Sequence, residues 1–210
     1  MTTTFAQPIT TEDQLREFVP LPREAALRKQ ISRLDEHCRA FIARAPFMFV
    51  ATSNAAGDCD VSPKGDAPGF VRVLDDETLV IPDRPGNQRA DSMRNILQNP
   101  HVGLLFVIPG VEWTLRVNGR ATIVRDDDLR ESMAVNGKVP SVAIGVHVEE
   151  AFMHCPKCFI RAKLWDTDEW MAPEDQPSFA AILRVQAKYD EVPVEAIAAA
   201  LKADSEKNLY

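Results

Sequence analysis

The apolar positions of the chain change period twice: spaced as on helices up to residue 44, they alternate as on strands after Pro46 and return to helical spacing near the end. Between residues 10 and 44, Pro20 and Pro22 break the helical stretch into pieces, and Ile31, Leu34, Cys38, Phe41 and Ile42 then recur at intervals of three and four, one face of an amphipathic helix. Residues 47–52 are a short run of strand formers, 53–58 a turn and 59–62 a return strand. Residues 62–69 carry too many prolines and glycines for regular structure and predict an interruption of the sheet. A second strand pair follows at 70–74 and 78–82, then a helix over 89–98 with Met93, Ile96 and Leu97 on one face and Asn99-Pro100 as its stop. Two further strands are predicted at 102–108 and 114–124. In the second, Leu115, Val117, Gly119, Ala121 and Ile123 alternate with Arg116, Asn118, Arg120 and Thr122, so one face is buried and the other wet. Asp126, Asp127 and Asp128 open another helix, 141–148 is one more strand, and from Glu149 the pattern returns to helix or loop, ending in an Ala-rich helix over 194–201. The sum is about seven strands joined by hairpin-like turns, with helices at both ends and one inserted: a mainly β fold, an antiparallel barrel with flanking helices.

Composition narrows the partners. The chain has 210 residues, 45 % of them hydrophobic, long enough for a sizeable core without disulfides. A net charge of -7 argues against a nucleic-acid or anionic-membrane binder, which normally presents a basic surface. No apolar run reaches the roughly 20 residues that span a bilayer, and residues 1–11 lack the basic region and apolar stretch of a signal peptide, so the expected location is cytoplasmic.

Against that acidic background, residues 81–96 form a basic cluster where a strand runs through a loop into a helix. Gly86 can take backbone angles other residues resist, Asn87 and Ser92 can bond an oxyanion, and Arg84, Arg89 and Arg94 bring positive charge, the ingredients of a phosphate cradle. The same residues would also serve as a polar strand-to-helix connection with solvated arginines. Arg72, among apolar neighbours, needs solvent or an anionic partner. His37 reads as a structural or surface residue. Cys155-Pro156-Lys157-Cys158 has C-x-x-C spacing beside His154, but Cys38 and Cys59 are isolated and no second ligand pair exists, so no metal is expected and the two cysteines read as packing residues.

The ordered set of Ser62-Pro63-Lys64-Gly65, Gly69-Phe70-Val71-Arg72-Val73-Leu74, Pro82-Asp83-Arg84-Pro85-Gly86-Asn87-Gln88-Arg89, Asn95-Ile96-Leu97-Gln98-Asn99-Pro100-His101-Val102 and Leu104-Leu105-Phe106 resembles the pyridoxamine 5'-phosphate oxidase-like, FMN-binding split-barrel family. The resemblance covers residues 30–165 and reaches the strand around Arg116 and His154-Cys155-Pro156-Lys157, as in an uncharacterised branch of that family. It implies a six-stranded antiparallel split β-barrel over 31–165, with helical extensions at 1–30 and 166–210, and a homodimer with FMN between the subunits. By position, Arg72, Arg84, Asn87, Arg89 and Ser92 fall where the family holds the FMN phosphate and ribityl chain, with Asp83 beside them, and Ser62, Lys64, Gly65 and Asp66 fall near the flavin ring. Trp113, Thr114 and Arg116 would come from the second subunit, and Lys64 is the candidate for a positive group at the ring. The C-terminal Arg and His pattern by which pyridoxamine phosphate oxidases hold their substrate is missing, which leaves the substrate open. The activity implied is that of an FMN-dependent oxidoreductase on a small organic substrate; a flavin carrier or sensor, and a split barrel that takes F420 or haem, stand as alternatives.

Overall fold

The computed structural model describes residues 5–210, so residues 1–4 of the N-terminal start discussed above lie outside the described residues. Its centre is a seven-stranded antiparallel sheet in the order β2-β1-β5-β6-β7-β4-β3. The strands are β1 (Phe47–Ser53), β2 (Cys59–Gly65), β3 (Arg72–Val73), β4 (Thr78–Pro82), β5 (His101–Val107), β6 (Thr114–Val124) and β7 (Ala143–His154). That is one strand more than the six expected, and the extra one, β3, is only two residues long. Ladder hydrogen bonds do not close the sheet; side chains do, because its curl brings β2 against the loop that leaves β4. Lys64 meets Asp83, Arg84 meets Asp66, and Ser92 meets Asp60 across the split.

Among the described residues eight α-helices flank the sheet: α1 (Glu12–Phe18), α2 (Glu24–Arg28), α3 (Glu36–Ile42), α4 (Asp91–Ile96), α5 (Asp127–Ser132), α6 (Lys157–Ala162), α7 (Phe179–Gln186) and α8 (Val194–Lys207). The core fills the inside of the curled sheet with residues such as Met48, Val50, Leu79, Ile81, Leu104, Phe106, Leu115, Val117 and Ile144. The alternation in β6 holds, with Leu115, Val117 and Ala121 buried and Arg120 and Thr122 exposed. None of the helices among the described residues is long and apolar enough to cross a membrane.

Several expectations are corrected. The apolar stripe from Ile31 does not lie on one helix: α3 starts at Glu36, capped by Asp35, whose carboxylate accepts from the Cys38 amide at 2.8 Å. Ile31 instead bridges Ala151 in an extended segment, and Leu34 is fully buried ahead of the helix. The sheet is not interrupted at Ser62, since β2 runs on through Pro63 to Gly65. Proline is tolerated there because β2 is an edge strand, whose outer side needs no ladder donor. Residues 70–74 contribute only Arg72 and Val73 to the sheet.

The strand around residue 148 does not end at Glu149 but continues to His154. Between Asn118↔Glu150 and Gly119↔Val148 the β6–β7 register slips by one, so Glu149 is the unpaired extra residue of a β-bulge. Glu150 is satisfied by Asn118 at 2.9 Å and Gln30 at 2.5 Å. Gly119 permits the close approach at this point, since a Cβ there would sit 2.0 Å from the carbonyl oxygen of His147.

Candidate functional site

The split between β2 and the β4–α4 connection opens into a cavity of about 710 Å3, in the range typical of small-molecule and cofactor sites. One wall is β2, from Asp60 to Lys64; the opposite wall is residues 83–93, which carry the chain from β4 into α4. Helix α4 sits here because Ser92 and Ile96 bury one face, and because Asn95 donates to Thr52 Oγ1 at 3.0 Å and Asn99 to Ser53 Oγ at 2.9 Å, fixing it on β1.

Seven of the expected cofactor residues line this cavity together: Ser62, Lys64, Asp83, Arg84, Asn87, Arg89 and Ser92. Asp66 stands just behind, its side chain only 2 % exposed and tied to Arg84 Nε at 2.6 Å. Gly65 is the last residue of β2 and is not part of the wall. Arg72 is not brought to this cavity: on β3, at the far edge of the sheet, its exposed guanidinium donates to the Ser132 carbonyl at 2.7 Å. Trp113, Thr114 and Arg116 are also elsewhere, at the start of β6. Thr114 is buried at 2 % exposure, whereas Trp113 is half exposed. Arg116 lies over the Phe152 ring and within 3.1 Å of His154.

The loop makes its turn differently from the expectation. Gly86 does not take left-handed backbone angles; Gln88 (φ 58) and Ala90 (φ 56) do, and both carry the cost of a Cβ in that region. Asn87 helps hold the turn, its side-chain oxygen accepting from the Arg89 amide at 3.1 Å. Strained backbone of this kind persists where the surroundings over-determine it and clusters at ligand sites. Some of the expected ligand groups are already engaged: Arg89 Nε donates to Asp91 at 2.6 Å and Ser92 Oγ to Asp60 at 2.9 Å. The best-placed cation is Arg84, 16 % exposed and linked to protein through Nε alone among the described residues, which leaves its two terminal NH2 groups for an anion.

Two neighbouring carboxyls are pushed in opposite directions. Burial raises Asp83 above the usual carboxylate range, and Lys64, 3.8 Å away, only partly offsets it. Burial also acts on Asp66, but hydrogen bonds from the Tyr210 phenol, the Ala67 amide and Arg84 outweigh it and hold Asp66 below that range. Of the two, Asp66 gives up its proton more readily than Asp83.

Lys138, Ser141 and Tyr210 also line the cavity and were not anticipated. Lys138 and Ser141 come from the loop ahead of β7, where no motif marked them, and Tyr210 arrives from a point 144 residues beyond its partner Asp66. With Lys138, the walls hold four basic side chains, Lys64, Arg84, Arg89 and Lys138, set among Asp60, Asp83 and Asp91, with Asp66 behind Arg84. The reading of Cys155 and Cys158 as packing residues is overturned. β7 ends at His154 and α6 buries none of its residues, so both are exposed free thiols, and among the described residues no cluster of potential ligands could hold a metal.

This combination of a curled antiparallel sheet, a side-chain-closed split and a polar cavity along it defines a split-barrel protein. The pyridoxamine 5'-phosphate oxidase family model matches residues 34–155, and the chain belongs to that family. No curated protein sequence matches the chain. Among solved structures, HupZ of Group A Streptococcus is similar at 24 % identity and TM-score 0.46, over 57 % of this chain and 92 % of that one. The haem storage protein HutZ of Vibrio cholerae is similar at 18 % identity and TM-score 0.40, over 57 % and 94 %. An F420 reductase is similar at 20 % identity and TM-score 0.41, over 54 % and 94 %.

Proposed function

We propose that the protein binds FMN in the cavity between β2 and the β4–α4 loop and is an FMN-dependent oxidoreductase acting on a small organic substrate. The observation that carries this reading is the gathering of Lys64, Arg84, Arg89 and Lys138 around one cavity of cofactor size in a chain of net charge -7. A phosphate carries about two negative charges and is well matched by guanidinium groups, so the donor set fits the phosphate end of a flavin nucleotide. When bound, FMN supplies the hydride or electron transfer itself. In this reading Arg84, Arg89 and Lys138 hold the phosphate, and Ser62 and Lys64 on β2 face the ring, with Asp83 beside Lys64. Arg72 has no part in this cavity, and its proposed phosphate role would require a different one. The domain plan is a split barrel over 31–165 with extensions on either side.

The proposal includes a homodimer, in which Trp113 and Arg116 of one subunit approach the cavity of the other; Thr114, buried in its own subunit, offers no side-chain surface for that contact. The mass in solution is then twice 23.4 kDa.

Titrating ligand-free protein with FMN and following flavin fluorescence tests the reading. One FMN per chain is expected, with binding abolished in an Arg84→Ala, Arg89→Ala double variant; unchanged stoichiometric binding in that variant would refute the phosphate assignment. Reduction of the bound flavin by NADH or NADPH and its reoxidation over many cycles distinguishes an enzyme from a carrier or sensor, which would show no turnover with either donor.

A further inference from the structure

The helices that follow the barrel end in a contact with the cavity rather than on the outside. α7 and α8 pack on each other; α8 stops at Lys207, and the chain then turns back through Asn208, whose side chain bonds Asp204 at 2.7 Å. Tyr210 thereby reaches the cavity mouth, and its carbonyl oxygen accepts a hydrogen bond from Lys138. Its phenol donates to Asp66 Oδ1 at 2.7 Å, and its ring lies 5.9 Å from the Arg84 guanidinium. The Ala67 amide donates to the same Oδ1 at 2.7 Å, and Arg84 Nε donates to Oδ2 at 2.6 Å. All three bonds converge on the one Asp66 carboxylate, so Tyr210 and Arg84 are linked through it.

We infer that Tyr210 is a ligand-positioning residue of this cavity: it clamps the Asp66–Arg84 pair so that Arg84 presents its free edge to a bound phosphate, and it walls the mouth on that side. The inference rests on the flavin reading above and adds to it a residue from outside the matched segment 34–155. A hydrogen bond to a charged group is worth enough to hold a side chain in one rotamer, and an aromatic face near a guanidinium restricts it further. Loss of the clamp does not remove Arg84 from the site but frees it to move, so the effect is read in how long the ligand stays. Three variants separate the contributions. Tyr210→Ala removes bond and ring, Tyr210→Phe removes the bond alone, and Tyr210→Ala combined with Arg84→Ala removes the group on which the clamp acts.

The experiment measures FMN dissociation by stopped-flow fluorescence, with circular dichroism confirming that each variant is folded. Tyr210→Ala is expected to release FMN about five-fold faster, the order expected for the loss of one such bond, and Tyr210→Phe to fall between it and the unaltered chain. In the Arg84→Ala background the further change at residue 210 is expected to have no effect, because the clamp acts through Arg84. Unchanged release in Tyr210→Ala, an additive effect in the double variant, or tighter binding, as when an obstructing plug is removed, each overturns the inference. An unaltered chain that takes up no FMN overturns the flavin reading and this inference with it, whereas FMN uptake indifferent to residue 210 overturns this inference alone.

Discussion

Removing the Arg84 side chain in the Arg84→Ala variant takes one of three donors from Asp66, a carboxylate 2 % exposed, while the Ala67 amide and the Tyr210 phenol stay. A charge-assisted bond of this kind is worth about 1.5 to 3 kcal/mol, and the donors left behind keep the cost below the several kcal/mol of a fully orphaned buried charge. The expected loss of stability at neutral pH is therefore about 2 kcal/mol, measured on ligand-free protein by urea denaturation. The pH dependence follows from Asp66. Its folded pKa lies below the ordinary aspartate value of 3.8, so its stabilising contribution is present above that value and is lost as pH falls through the folded pKa. Without Arg84 the folded pKa rises, so the gap between the two proteins is widest at neutral pH and narrows as Asp66 becomes protonated in acid. FMN affinity falls in parallel by roughly 10- to 100-fold, the equivalent of one charge-assisted bond to phosphate. A stability difference under about 0.5 kcal/mol at neutral pH, a gap independent of pH, or strict additivity with Asp66→Asn in a double-mutant cycle would refute the reasoning.

Other parts of the molecule yield sharper single readings. Gly119→Ala sets a Cβ 2.0 Å from the His147 carbonyl oxygen, a backbone atom at the β6–β7 bulge, and is expected to cost about 3 kcal/mol or more in thermal or urea denaturation; a loss under about 1 kcal/mol would mean that the bulge is not the tight contact described. Iodoacetamide should label Cys59, Cys155 and Cys158 in the native protein and leave Cys38 untouched, because burial and the bond with Asp35 push the Cys38 thiol up to about 12; labelling of Cys38 before unfolding contradicts its burial. Burial, then the charges of Arg116 and Lys29, lowers the His154 pKa below the ordinary histidine value of 6.5, so His154 stays neutral as pH falls through that value. Its unfolded form takes up the proton first, which costs the fold stability below that pH. NMR titration should show that low pKa and its rise in Arg116→Gln; a His154 that titrates normally in both proteins would exclude the coupling.

What could be read from the residues alone depended on whether the determining contact was local. Alternation marked β6, because one face of that strand is buried from Leu115 to Ala121 and period two needs no distant partner to be visible. Glu149 hid the second half of β7: a charged pair inside a strand reads as its end unless the bulge that leaves Glu149 unpaired is known, and the bulge depends on Gly119, 30 positions earlier. Pro63 hid the end of β2 for a similar reason, since only the sheet order shows that this strand is an edge. In the β4–α4 loop the basic residues and Asn87 marked a stretch that lines the cavity, but the left-handed positions fell on Gln88 and Ala90 rather than on the conformationally free Gly86. Tyr210 had no local signal, because its meaning lies in the contact with Asp66. Arg72 carried a plausible motif position that the sheet places on the opposite edge from β2.

The cavity between β2 and the β4–α4 loop is proposed to hold a flavin mononucleotide. Denaturing freshly purified protein and identifying the released small molecule by mass spectrometry tests it most directly. FMN at a stoichiometry of about one per chain is the predicted result, and release of F420 or haem in its place would contradict the account.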